Sequence, residues 1–298
     1  MRAADEARHR AGSDPTWEES WWFTFASSDG ALGGSLRLAL LPHLGRSWVW
    51  CDVVGEDRRL VTVVEHEAPL PRPTALDLRC EGLWTDVVCE TPLEHWSVGL
   101  EAFGVALDDP LDALRGLRGD RVGVGFDLGW EAEGPARADP TGHGYAVPAE
   151  VHGEVLLGTE VLAVDGWGSW THAWGPGPWW GPGWREADGR FDDGTRWHAI
   201  QADGGPGRGD LTTGAAVSTS VATLTDDVGP NRLLPSRADA AVGGLDVELH
   251  VEHRSPIPIT GPGVQTRAVR AFCRTTAADG RSGWAWLTSS PGARGAQT

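Results

Sequence analysis

Almost the whole chain is written in short runs that alternate apolar and polar residues, and stretches with helical spacing are nearly missing. SLRLALLP, SWVWCDVV, RLVTVVEH, ALDLRCEGLWTDVVCE, HWSVGLEAFGVALDD, RVGVGFDLGWEAE, AEVHGEVLLGTEVLAVDG, AAVSTSVATLTDD, LDVELHVEH, VQTRAVRAFCRTT and SGWAWLTS are all rich in Val, Leu, Trp and Thr. Clusters of Gly, Pro and Asp divide them every 8 to 15 residues or so, the signature of an antiparallel meander rather than of βαβ units. Only DPLDALRGL, residues 109–117, has a helical start, with Asp109 in the N-cap position and Pro110 in the first turn.

Long meanders must hide their edges, and closing into a barrel does so. The fold expected is therefore all-β, with two antiparallel barrels, because 298 residues exceed what one core usually supports. We place a disordered tail at 1–14, a first barrel at 15–165 and a second at 166–298, with a Trp-rich junction at 166–184. In HWSVGLEAF, Trp96, Val98, Leu100 and Ala102 share one face, while Glu101 and Phe103 share the other. Glu101 then faces either solvent or a pocket that uses it, since a carboxylate in an apolar lumen needs a partner.

Composition removes several function classes. A net charge of −17 argues against nucleic acid, whose binding draws on cationic side chains. The chain has no lysine, which excludes the phosphate-binding P-loop, the pyridoxal Schiff base and the lysine-imine aldolase. The charged N-terminus lacks a secretory apolar core and no run is long enough for a membrane span, so a cytoplasmic protein is expected. Cys51, Cys80, Cys89 and Cys273 form no Cys-x-x-Cys pair and read as reduced thiols, with Cys80 and Cys89 the pair to check for a bridge. GVGFDLG has the wrong spacing for a dinucleotide loop, and no Gly-x-Ser-x-Gly elbow occurs. His250 and His253 alternate along a strand, and His66, between Glu65 and Glu67, reads as solvated. No metal site is expected from these histidines.

The stretch DGWGSWTHAWGPGPWWGPGW, residues 165–184, carries six of the 17 tryptophans and a single histidine. On a strand, Trp170, His172 and Trp174 share one face. Two readings stay open. The indoles, including Trp179 and Trp180, pack the junction between two barrels, or they wall a ligand cavity in which His172 moves a proton. Glu101, Glu131, Glu154 and Tyr145, the only tyrosine, are the candidate partners for His172, and Trp96 is a further candidate for the cavity wall.

The run ESWWFTF…GGSLRLALLPHLGRSWVW, the segment LPRPTALDLRCEGLWTDVVCETPLEHWSVGLEAFGVALDDP, VHGEVLLGTEVLAVDG and the Trp-rich stretch together resemble the tandem lipocalin-like proteins related to carotenoid 1,2-hydratase (hydroxyneurosporene synthase), in particular an actinobacterial branch. The resemblance implies two calycin-type barrels, apolar polyene, terpenoid, steroid or polyketide substrates, and no cofactor. In that group the stretch follows Gly-x-Gly-x-Arg-Asp-His-Ser-Trp-Gly-x-Arg-Asp-Trp and lies where the barrels meet. Gly166, Gly168, His172, Trp174, Gly175 and Trp179 match, whereas Trp170, Thr171, Ala173, Gly177 and Pro178 replace charged or hydrogen-bonding residues. The resemblance thus implies either an enzyme that protonates, hydrates, isomerises or cyclises an apolar molecule through His172, or a carrier for such a molecule.

Overall fold

The computed structural model describes residues 1–139, 142–214, 216–228 and 233–293. The chain divides into two compact units, Met1–Asp112 with Leu117–Gly177, and Ala113–Gly116 with Pro178–Thr298. The first unit contains β1 (Trp17–Ser27), β2 (Leu32–Leu41), β3 (Arg46–Gly55), β4 (Leu60–Pro69), β5 (Leu78–Cys80), β6 (Leu83–Thr91), β7 (His95–Leu107), β8 (Asp120–Ala132), β9 (Arg137–Ala138), β10 (Gly144–Leu157) and β11 (Glu160–Pro176). Neighbours run β4-β3-β2-β1-β11-β10-β8-β7, and β4 also pairs with β7, which closes this ring into a barrel. The β5–β6 hairpin continues from β7 outside the ring.

Local pattern decides which side chains enter this barrel. On β7, Trp96, Val98, Leu100 and Ala102 are buried, while Glu101 and Phe103 are exposed, as period-two alternation requires. Trp21, Phe23 and Phe25 of β1 are fully buried in the same core as Trp96, Trp130 and Trp170. β1 and β11 approach so closely that a Cβ at Gly168 would lie 1.8 Å from the Thr24 carbonyl oxygen. That oxygen also accepts from the Trp130 indole at 2.8 Å.

The sequence places the end of the first barrel at residue 165, and the structure moves it. β11 runs on to Pro176, because every residue from Gly166 to Pro176 pairs with β1 in register from Ser27 back to Trp17. Half of the Trp-rich stretch is therefore the closing strand of the first barrel. Asp109 accepts from Leu111 N at 3.0 Å at the start of a 3-10 helix, Pro110–Arg115.

The second unit is an up-and-down barrel of β12 (Pro182–Phe191), β13 (Arg196–Ala202), β14 (Gly207–Thr213), β15 (Ala216–Asp227), β16 (Arg237–Val242), β17 (Leu245–Gly261), β18 (Val264–Ala277) and β19 (Ser282–Gly292). Each strand pairs with the next, and β19 returns to β12. Small residues fill much of its core around Phe191 and Trp197. Gly189 leaves the room that the Trp197 indole occupies, since a Cβ there would sit 2.5 Å from the ring.

Candidate active site

The site begins as one row across three strands. Trp21 of β1 lies opposite His172 of β11, which lies opposite Tyr145 of β10. Barrel closure turns all three inward, and directly opposed side chains in a sheet interact. The His172 ring stacks on the Trp21 indole at 4.3 Å and meets Tyr145 edge-on at 5.6 Å. Glu19, two residues before Trp21 and on the same face, brings its Oε1 to 3.0 Å from His172 Nε2.

The first residues of the chain complete this end of the barrel. The sequence reads 1–14 as a disordered tail, whereas the structure lays them against the barrel, with Glu6 only 5% exposed. Tyr145 donates its hydroxyl to Glu6 Oε2, and Leu93 N donates to Glu6 Oε1 at 2.9 Å. His9 donates its backbone N–H to Glu19 at 2.7 Å, and its ring stacks on Trp174 at 3.7 Å. Arg8 reaches back to the carbonyl of Arg72 at 2.6 Å. A strap of polar residues therefore crosses the barrel end and is held from three sides.

Beside the strap lies a cavity of about 580 Å³. Its wall includes Glu6, Arg8, Leu76, Val87, Cys89, Trp21 and Trp96. Glu6 is the carboxyl that touches both the cavity and the buried polar network, whereas His172 is fully buried and stacks on Trp21. Burial, and then the Glu6 charge, push the Tyr145 phenol well above its ordinary range. Tyr145 thus stays protonated and serves as a donor. Burial pushes the Cys89 thiol up to about 12, so it is not a nucleophile at neutral pH.

A family described as a domain of unknown function, DUF7064, matches residues 2–292, which takes in the strap and both barrels. The chain belongs to the DUF7064 family. No curated protein matches it in sequence. Among solved structures, this DUF7064 chain is similar to an AttH-like protein of Nitrosomonas europaea, with 12% identity, a TM-score of 0.68 and coverage of 97% of this chain and 96% of that one. It is similar to CghA in complex with Sch210972, at 11% identity and TM-score 0.61, covering 97% and 95%. It is also similar to kievitone hydratase from Nectria haematococca, at 12% identity and TM-score 0.61, covering 91% and 88%. These likenesses establish a lipocalin-like β-barrel fold.

Placed in the DUF7064 structure, the candidates from sequence divide. His172, Tyr145 and Trp174 come together, and Trp96 lines the cavity. Trp170 is fully buried in the barrel core, and the ring stacked on His172 is Trp21 instead. Trp179 and Trp180 belong to the second unit, where Trp179 packs on Trp184 and Trp180 donates to the Pro262 carbonyl. Glu101, Glu131 and Glu154 are exposed. Glu101 lies on the outer face of β7 and does not reach the pocket, because Leu100 and Ala102 take the inward positions. His66 is half-buried rather than solvated. It accepts from the Trp50 indole N–H at 2.9 Å, and burial lowers its pKa to about 4. None of the four cysteines is in a disulfide, and Cys80 and Cys89 are not bridged.

Sequence reasoning missed Glu6, His9 and Glu19. Glu19 left a signal, a carboxylate on the face that carries Trp17 and Trp21 in WEESWW, where an apolar residue belongs. Glu6 and His9 left none, since their segment has no periodicity to read.

Proposed function

We propose that the first barrel is an enzyme that moves a proton on an apolar, unsaturated small molecule, such as a terpenoid, steroid, polyene or polyketide. The observation that carries this reading is the Glu6 carboxyl, buried at the wall of a cavity that Trp21 and Trp96 also line. The cavity's size is within the usual range for small-molecule sites, about 300 to 1,000 Å³. Tyr145 and Leu93 N both donate to the carboxyl, an arrangement that suits the carboxylate and fixes its direction. Glu6 is therefore the base. It takes a proton from a carbon beside an electron-withdrawing group and returns it to another carbon, which isomerises the substrate. In the hydration variant it takes the proton of a water whose oxygen bonds to a polarised double bond, and the proton then passes to the adjacent carbon. The indoles hold the substrate in place and stabilise positive charge at their faces.

In this reading His172 acts through Tyr145 rather than on the substrate. The resemblance of the Trp-rich stretch to the carotenoid 1,2-hydratase group supports the same chemistry, as does the name of kievitone hydratase among the structurally similar proteins. A carrier role is the second reading, favoured by the largely apolar wall. The deciding experiment screens metabolite extracts by native mass spectrometry and incubates bound ligands in D2O. An enzyme incorporates deuterium or adds the mass of water, and Glu6→Gln lowers that rate at least about 100-fold with ligand affinity nearly intact. Binding with no isotope uptake supports carriage and overturns the catalytic reading.

A further inference from the structure

Two imidazole nitrogens converge on one buried carboxylate oxygen, and no strand pairing or packing requirement calls for that. Glu19 Oε1 lies 2.9 Å from His9 Nδ1 and 3.0 Å from His172 Nε2. The side chains of Glu19 and His172 are 1% and 0% exposed. The three ligand atoms all lie within 4.8 Å of one another.

Counting hydrogens shows what this arrangement lacks. Tyr145 has one hydroxyl hydrogen and donates it to Glu6. Its oxygen can then only accept from His172 Nδ1, 3.4 Å away, so Nδ1 carries the ring hydrogen. In the neutral imidazole, Nε2 is then a bare lone pair aimed at a carboxylate oxygen. Two electron-rich atoms at that distance, shut off from water, need a cation between them. His9 Nδ1 aims at the same oxygen, which already accepts the His9 backbone N–H.

We propose that His9 Nδ1, Glu19 Oε1 and His172 Nε2 bind one divalent transition-metal ion of the zinc class. Two imidazoles and one carboxylate are a donor set of mononuclear zinc sites that keep one position open. The nitrogen–oxygen separations are already close to the 3.0 to 3.4 Å or so between neighbouring ligands that bonds of about 2.1 Å produce. The outer hydrogen bond that a metal-binding imidazole requires is in place, from His172 Nδ1 to Tyr145 and on to Glu6. The ion would tie His9, and with it the strap that carries Glu6, to the closing strand of the barrel. The site does not depend on Glu6 acting as a base, and the two readings fail separately.

The test is metal analysis of the full chain purified without chelator or polyhistidine tag, followed by chelation and reloading with Zn²⁺ or Co²⁺. About one zinc per chain is expected, together with a visible d–d absorption band from Co²⁺ and a thermal midpoint that rises when the chelated chain is reloaded. His9→Ala should lose the band and hold at least tenfold less metal. His9 lies outside every strand, so circular dichroism of that variant should stay like that of the unaltered chain, and Glu19→Gln provides the second check. If the unaltered chain holds no more Zn²⁺ or Co²⁺ than His9→Ala and its midpoint ignores both ions, the proposal is overturned.

Discussion

The His172 imidazole lies nearly parallel to the Trp21 indole, 20° between planes and 4.3 Å between centroids, and Trp21 is also part of the cavity wall. One indole therefore separates the histidine from any ligand. In the proposed reading this relationship is why Glu6 rather than His172 is assigned the proton transfer, and it gives Trp21 both a cavity face and a stacking face. Trp21→Ala should cost about 3 to 5 kcal/mol through the void it leaves, read as a fall in the urea midpoint. In the same variant, ligand affinity should drop about tenfold or more through lost contact area.

Trp174 has a different role from the one its place in the Trp-rich stretch suggests. Its ring stacks on His9 at 3.7 Å and 14°, and it is absent from the cavity residues above. Trp174→Ala should loosen the strap, so limited proteolysis within the first 14 residues should speed up several-fold. Ligand quenching of the remaining tryptophans should persist. A variant whose strap is cut no faster would return Trp174 to a plain packing role.

His66 gives the protein a pH dependence with a definite sign. Burial lowers its folded-state pKa to about 4, against an ordinary value near 6.5. Between those values the unfolded chain binds a proton that the folded chain refuses, so stability falls as pH drops from about 6.5 towards 4 and is unaffected by this group above 6.5. From pH 7 to pH 5 the loss is about 2 kcal/mol. His66→Gln keeps an acceptor for the Trp50 indole and removes the titration. Denaturation midpoints of the variant should lose that part of the acid slope.

Arg37 is a buried cation, 3% exposed, paired with Glu18, its guanidinium 4.7 Å from the Trp50 ring centroid and 5.5 Å from that of Trp22. Arg37→Met should destabilise by about 3 to 5 kcal/mol, because it leaves the Glu18 carboxylate without its guanidinium. The double variant Glu18→Gln/Arg37→Met should recover a large part of that. A double-mutant cycle with no coupling between the two positions would contradict the pairing.

Gly168→Ala tests the closure of the first barrel. The added methyl would meet the Thr24 carbonyl oxygen at 1.8 Å, so β1 and β11 would have to separate. A loss above the usual 1 to 3 kcal/mol of overpacking is expected, or no folded protein at all. A stable variant with unchanged circular dichroism would show that this approach is less tight.

Local pattern in the sequence determined most strands of the first barrel and their inward faces, because a side chain's face follows from residue parity alone, whereas β1, β12, β13, β14 and β16 lie outside the runs it marked. Trp96, Val98, Leu100 and Ala102 on β7 were legible for that reason. Parity also placed Trp170, His172 and Trp174 on one face of β11. What surrounds His172 was decided only by closure. Trp21 and Glu19 reach it because β1 pairs with β11 in one particular register, Tyr145 because β10 flanks the other side, and His9 because the strap folds across the barrel end. The domain boundary moved for the same cause, since a closing strand continues for as long as its partner offers hydrogen bonds. Periodicity is a short-range property of the chain, whereas a buried polar cluster is assembled from segments far apart in sequence, and its donors and acceptors are matched only once the barrel has shut out water.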